Sequence, residues 1–191
     1  MKSYLSIFLF IILSLFLFSC KSESDITVYK LKKTKSSIPI EDINQTKKSL
    51  SWSVPNNWSA KPPTDFRLAS FDIQTENEQI VDLSITSFPG DAGGIEQNVN
   101  RWRRQINLEP QNINDIMNMA KIESSMLGEY YIFDLENNNT NKSIIVALIP
   151  YLDDKKLVSE TIFVKMNGTY ETMQELKYEF ELFCKSIHWV K

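Results

Sequence analysis

The sequence predicts an α+β domain built on a largely antiparallel sheet flanked by helices, and three observations carry that prediction. Apolar and polar residues alternate in a succession of short runs separated by turn residues. Only two long amphipathic helices interrupt them, at residues 95–108 and 169–187, and the runs do not alternate with helices as a parallel βαβ array requires. No internal repeat is visible.

The elements follow in order. Ser51-Trp52-Ser53-Val54-Pro55 alternates and stops at a proline, which predicts a first strand, and Pro55-Asn56-Asn57-Trp58 is a turn that returns Trp58 to the core. Residues 66–73 form the next strand. Residues 81–88 have the cleanest period of two in the chain, with Val81, Leu83, Ile85 and Ser87 on one face. A glycine turn then leads into the 95–108 helix, whose Ile95, Val99, Trp102 and Ile106 make an apolar stripe. Residues 113–119 suit a short helix or coil equally. Residues 121–127 and 129–136 read as strands hinged at Gly128, and 137–141 as a polar turn. Residues 143–151 and 157–166 pair as a hairpin through 152–156, and Asn167-Gly168 ends the last strand. The final helix, 169–187, turns Met173, Leu176, Phe180, Phe183 and Ile187 to the core.

Ahead of this domain, Leu17-Phe18-Ser19-Cys20 closes an apolar run from Tyr4 to Phe18 that is broken only by Ser6 and Ser14, with Lys2 before it. Bacterial lipoprotein signal peptidase reads this arrangement, so residues 1–19 are expected to be a signal peptide and Cys20 the lipidated first residue of the mature chain. The competing reading is an uncleaved transmembrane anchor, but the run is shorter than the ~20 residues that span a bilayer. Diacylglycerol on the sulfur and an acyl group on the new amino terminus would anchor the protein, at ~0.8 kcal/mol per buried methylene. Residues 20–49 form a tether rich in Ser, Lys and Thr. Its Lys30, Lys32, Lys33 and Lys35 serve as solvated linker charges or add attraction to anionic head groups, and residues 26–31 suit a short edge strand. In bacteria with two membranes an Asp after the lipidated cysteine retains a lipoprotein in the inner membrane; Lys21 in its place points to the outer membrane. Ser22-Glu23-Ser24-Asp25 loosely resembles acidic tracts that direct some lipoproteins to the cell surface.

Residues 50–191 are expected to be a single globular domain. The tether from 21 to 49 carries seven Lys against four acids, a net of +3, whereas residues 50–191 carry thirteen Lys and Arg against twenty acids, a net of −7. An acidic body has no electrostatic footprint for nucleic acid. With Cys20 lipidated, Cys184 is left without a disulfide partner, and its neighbours Phe180, Phe183 and Ile187 mark it as a small buried hydrophobe. His188 has no second histidine with which to hold a metal. It lies four residues from Cys184 and would share a helix face with it if the helix ran that far, but an apolar helix end is a poor place for an activated thiolate. Asp153-Asp154 belong to a solvated hairpin turn, and there is no serine nucleophile elbow. No catalytic residue, metal or cofactor is implied.

The densest cluster of specialised residues is Gly90-Asp91-Ala92-Gly93-Gly94 before Asn98-Val99-Asn100-Arg101-Trp102-Arg103-Arg104-Gln105. A glycine loop at a helix start can hold an anion, but this one lacks the Lys-Ser/Thr ending of a Walker loop and the spacing of a dinucleotide fingerprint. Asn98, Arg101 and Gln105 stand three and four apart, on one polar edge beside Trp102, while Arg103 and Arg104 complement the helix dipole. Two readings follow. Asp91, Asn98, Arg101 and Gln105 line a small ligand-binding pocket, or Asn98, Arg101 and Gln105 satisfy backbone groups of the neighbouring loops. In the second case Arg101 is held by carbonyls or an acid, and its loss is destabilising.

These segments, together with Ser51–Pro55, Trp58, Phe66-Arg67-Leu68-Ala69-Ser70-Phe71 and Phe163-Val164-Lys165-Met166-Asn167-Gly168, resemble a group of uncharacterised bacterial envelope proteins and lipoproteins. The likeness covers nearly all of 50–191 and implies no catalytic assignment. More distantly, the order of strands, middle helix, hairpins and last helix is similar to the Mog1/PsbP fold, an antiparallel sheet sandwiched by helices that hosts photosystem assembly subunits and a nuclear transport factor. The expected function is a membrane-anchored, non-enzymatic lipoprotein module binding an envelope protein or a small ligand. The alternative is an envelope enzyme of hydrolase type with a pocket near the glycine loop.

Replacement of Cys20 tests the anchor. Cys20→Ala should leave the chain unprocessed or free of the membrane on density-gradient fractionation and immunoblotting, with the wild type in the outer-membrane fraction. A Cys20→Ala chain still fully membrane-bound at the mature size would overturn lipidation.

Overall fold

The computed structural model describes residues 49–62 and 64–190. The expected signal peptide, Cys20, Lys21, the 26–31 segment and the lysines of the expected tether lie outside the described residues. Among those described, the elements are β1 (Ser49–Ser51), β2 (Trp58–Ala60), β3 (Ala69–Gln74), β4 (Ile80–Pro89), α1 (Ile95–Gln105), α2 (Ile113–Met119), β5 (Lys121–Ser125), β6 (Gly128–Asn137), β7 (Lys142–Leu152), β8 (Val158–Gly168), α3 (Tyr170–Ser186) and β9 (His188–Val190). Strands β2-β3-β4-β8-β7-β6-β5 form a seven-stranded sheet, and β1-β9 a separate two-stranded ribbon. Every pairing is antiparallel. The class is α+β, with helices on both faces of the sheet.

Pleating assigns each side chain to a face. Val81, Leu83 and Ile85 of β4 join Ile145, Ala147 and Ile149 of β7, Ile162, Val164 and Met166 of β8, and Met173, Leu176, Phe180 and Phe183 of α3 in one core. The opposite face of β6, β7 and β8 presents Phe133, Leu135, Ile144, Val146, Leu148 and Phe163 to Val99 and Trp102 of α1, Ile106 just past its end, and Ile116 of α2. Strand β7 is therefore buried on both faces and reads as an unbroken apolar run, whereas β4 keeps the alternation of a strand with one apolar face.

The differences from the sequence expectation have local causes. The first strand spans Ser49–Ser51 rather than 51–55, so Ser49 belongs to the fold and not to the tether. It pairs with β9, a strand the helical reading of the C-terminus missed. Trp58 opens β2 opposite Ile73, after a turn in which its N–H donates to the Pro55 carbonyl at 3.1 Å. Strand β3 starts at Ala69 because residues 64–67 turn, with the Arg67 N–H on Thr64 Oγ1 at 3.2 Å, leaving Phe66 exposed. Helix α1 stops at Gln105, since Asn107 adopts a φ of +58° that a helix cannot continue. Residues 113–119 are helical because Asn112 caps them, its Oδ1 accepting the Asp115 N–H at 3.0 Å.

Helix α3 is fixed at its start by a capping box: the Thr172 N–H donates to Thr169 Oγ1 at 3.3 Å and the Thr169 N–H to Thr172 Oγ1 at 3.0 Å. Gly168 makes room for it. A Cβ there would lie 2.5 Å from Thr172 Oγ1 and 2.9 Å from Met173 Cε. Gly168→Ala should therefore displace the cap and lower stability by ~1–3 kcal/mol in chemical denaturation; an unchanged midpoint would contradict this.

Candidate functional site

The glycine loop is fastened from within. Gly90, Ala92, Gly93 and Gly94 all take positive φ, and Asp91 Oδ1 accepts the Gly93 N–H at 3.1 Å. The Gly90 N–H donates to the Ser159 carbonyl at 2.9 Å, and Thr161 Oγ1 donates to the Gly90 carbonyl at 2.7 Å, which ties the loop to β8. Asn98 is buried, and its Nδ2 donates to the carbonyls of Ala92 at 3.0 Å and Gly94 at 2.7 Å. Its Oδ1 accepts from Arg101 Nη2 at 2.8 Å. The amide thus stitches the loop to the first turn of α1.

Of the four residues expected to line one pocket, the structure brings Asn98 and Arg101 into contact. Both border an open depression of about 550 Å³ on the outer side of α1, together with Gln97, Asn100 and Arg104. Asp91 and Gln105 do not line it. Gln105 instead accepts from Lys165 Nζ of β8 at 3.1 Å. Arg101 is exposed, its guanidinium 6.0 Å from the Trp102 ring centroid, and its hydrogen-bond partner is the Asn98 side chain rather than a backbone carbonyl or an acid.

A second concavity was not foreseen. The β1-β9 ribbon, the end of β4 and the start of β8 bound a groove of about 700 Å³ lined by Leu50, Trp52, Leu68, Phe88, Glu160 and Trp189. Leu50 and Trp189 are directly opposite in the ribbon, and Trp189 stands edge-on to Tyr151 at 5.2 Å. Trp52 packs against Phe183 at 6.3 Å. Leu68 is 51% exposed although it is among the larger apolar residues here. The Glu160 carboxylate accepts the Ser87 hydroxyl at 2.8 Å, so the polar member of the groove is already engaged. Trp189 Nε1 is buried and has no hydrogen-bond partner, a state that costs about 1–3 kcal/mol until an acceptor arrives. The available signal was the β-rich triplet His188-Trp189-Val190 directly after the helix.

The nucleophile candidates are placed unfavourably for chemistry. Cys184 is wholly buried, and desolvation pushes its thiol well above the ordinary value. His188 lies beyond the end of α3, with Nδ1 2.8 Å from the Ser186 carbonyl, so the two do not share a helix face. Asp153 accepts the N–H groups of Lys155 at 2.8 Å and Leu157 at 2.9 Å and serves the hairpin turn. Among the described residues no group of three or more His, Cys, Asp or Glu is placed to hold a metal, and no helix is long and apolar enough to cross a membrane.

No family model and no curated protein matches the chain. Among solved structures it is similar to LpqN, involved in cell envelope biogenesis of Mycobacterium tuberculosis, with a TM-score of 0.47 and 10% identity over 75% of this chain and 84% of that one. It is similar to cyanobacterial PsbP from Synechocystis, with a TM-score of 0.43 and 14% identity over 80% and 99%. A protein from Bacteroides thetaiotaomicron aligns with a TM-score of 0.36 and 11% identity over 74% of this chain and 45% of that one. The α+β class rests on this chain's own strand order and helix placement.

Asn98 and Arg101 separate on stability. Asn98→Ala strands two loop carbonyls and should cost about 1–3 kcal/mol in denaturant melts, whereas Arg101→Ala, on an exposed side chain, should change stability by less than about 0.5 kcal/mol. The reverse order would refute this account of the loop.

Proposed function

We propose that this protein is a lipid-anchored envelope binding module, held to the outer membrane through Cys20 and presenting the groove beside Trp189 to an apolar segment of an envelope protein or an apolar small ligand. The lipobox and the charged tether support the anchoring. The observation that carries the binding reading is the groove itself: an apolar lining of Leu50, Trp52, Leu68 and Phe88 around a buried indole N–H that lacks an acceptor. Exposed apolar surface of this kind marks contact sites. Glycine-loop polar groups support scaffolding better than hydrolysis, because Asn98 and Asp91 spend their side chains on the loop.

The test is site-specific photocrosslinking in the native envelope. A crosslinker at Leu68 should capture a discrete species that a crosslinker at Tyr178, exposed on α3, does not. Trp189→Phe, which removes the indole N–H and trims one wall of the groove, should weaken that capture by roughly tenfold. Equal capture at both positions, or none at Leu68, would reject the groove.

A further inference from the structure

Helices α1 and α2 cover the second face of the sheet over β6, β7 and β8, yet the same face of β3 and β4 carries Ser70, Asp72, Asp82 and Ser84. Register places Ser70 opposite Ser84 and Ser84 opposite Lys165, so two small hydroxyl residues and a lysine form one row across three strands. Beyond Lys165 the row continues to Val146, which α1 and α2 cover. The row is thus a polar shelf beside the Asn98, Arg101 and Gln105 edge of α1.

Charge gathers on this shelf. Arg67 Nη1 donates to Asp82 Oδ1 at 2.9 Å and Ser70 Oγ at 3.2 Å, and Lys61 Nζ bridges Asp72 at 2.8 Å and Asp82 at 3.3 Å. These two cations and two carboxylates neutralise one another. Partial burial alone would push the Asp82 carboxyl up, but the hydrogen bonds and charges of Arg67 and then Lys61 hold it below its ordinary value. Lys165 and Arg101 remain. Their hydrogen bonds go to the neutral amides of Gln105 and Asn98, and neither has a carboxylate within salt-bridge distance among the described residues. Burial first, then the charges of Arg67 and Arg101, hold the Lys165 ammonium below the ordinary lysine value, with Asp82 opposing them. Lys165, bonded to Gln105, and Arg101, one turn back on the same edge of α1, are two cations with no carboxylate in salt-bridge contact among the described residues, an arrangement that an anion would relieve.

We propose that this shelf binds a phosphate monoester group, with Lys165 and Arg101 as its charge partners, the Gln105 amide at its edge and Arg67 on the opposite rim. A phosphate monoester carries about −1.5 to −2 charge at pH 7 and three strong acceptor oxygens, which matches two excess cations and their donors; a single carboxylate would neutralise only one. Lys165 stands on a central strand and Arg101 on a helix packed to the sheet through Trp102, so the positions are held by rigid elements rather than by a loop. The competing account is structural: the lysine stem merely covers the serine row while its head stays in water. The site is separate from the Trp189 groove, and its failure would leave that reading standing.

Isothermal titration of the full chain in neutral detergent, at constant ionic strength, distinguishes the two. Inorganic phosphate should bind saturably. Lys165→Gln and Arg101→Gln should each weaken binding at least about tenfold, whereas Lys165→Arg should stay within about threefold and Lys155→Gln, exposed in the turn between β7 and β8, within about twofold. If Lys165→Gln does not fold, Arg101→Gln against Lys155→Gln still decides. Dihexanoyl phosphatidic acid binding about tenfold more tightly than inorganic phosphate assigns the group to a lipid; equal affinity assigns it to a free phosphate ester. Absence of saturable binding, or equal losses in Arg101→Gln and Lys155→Gln, would overturn the proposal.

Discussion

The antiparallel pairing of β4 with β8 is the constraint on which the rest of the structure depends. The other ladders of the large sheet join strands that follow one another in sequence, as β2-β3, β3-β4, β5-β6, β6-β7 and β7-β8 do. Within the large sheet only β4-β8 joins strands far apart in sequence, from Asp82 opposite Asn167 to Pro89 opposite Glu160. It joins two locally formed parts into one sheet and makes both concave and polar features possible. The groove needs the end of β4 beside the start of β8, and the shelf needs Ser84 beside Lys165. Non-local pairing of this kind carries a loop-closure cost, so the apolar side of the ladder, Leu83 and Ile85 with Val164 and Met166, has to repay it through burial against α3.

Unequal covering of the two faces then decides where chemistry can sit. Strand β7 is apolar on both sides because helices pack on both, and it leaves no room for a site. Strands β3 and β4 are covered by α3 alone, and their other side chains are free to be serines and aspartates. The boundary between the two regimes falls at β8, where Phe163 meets Trp102 edge-on at 5.3 Å and Lys165, two residues on along the same face, reaches Gln105. One strand thus supplies an anchor for α1 and the cation beside it.

The first and last described strands pair in the β1-β9 ribbon. Helix α3 ends at Ser186, whose hydroxyl accepts the Ser53 N–H at 2.9 Å, and the strand that follows pairs with β1. That small ribbon carries Trp189 and Leu50 into the groove. A site built this way is completed by the first and last described segments of the domain, which explains why no local stretch of sequence announces it.

Legibility followed the range of the interaction. Period-two alternation in β4, the Trp102 stripe of α1 and the Phe180 and Phe183 face of α3 were readable because each is a local pattern with one burial direction, and the α+β class followed from them. The expected lipobox ending at Cys20 is also a contiguous pattern, and it lies outside the described residues. Asn98 and Arg101 were legible as a helix edge by their spacing, but whether that edge holds a ligand or stitches a loop depends on where the carbonyls of Ala92 and Gly94 point. The short strands β2 and β9 were not legible, because three residues carry too little periodicity and are strands only by virtue of their partners, Phe71 to Ile73 and Ser49 to Ser51. By itself, then, the sequence determined the class of fold and the apolar faces; only the tertiary structure decided that Trp189 lines a groove and that Lys165 meets Gln105 on the Arg101 edge of α1, since both rest on pairings between residues far apart in the chain.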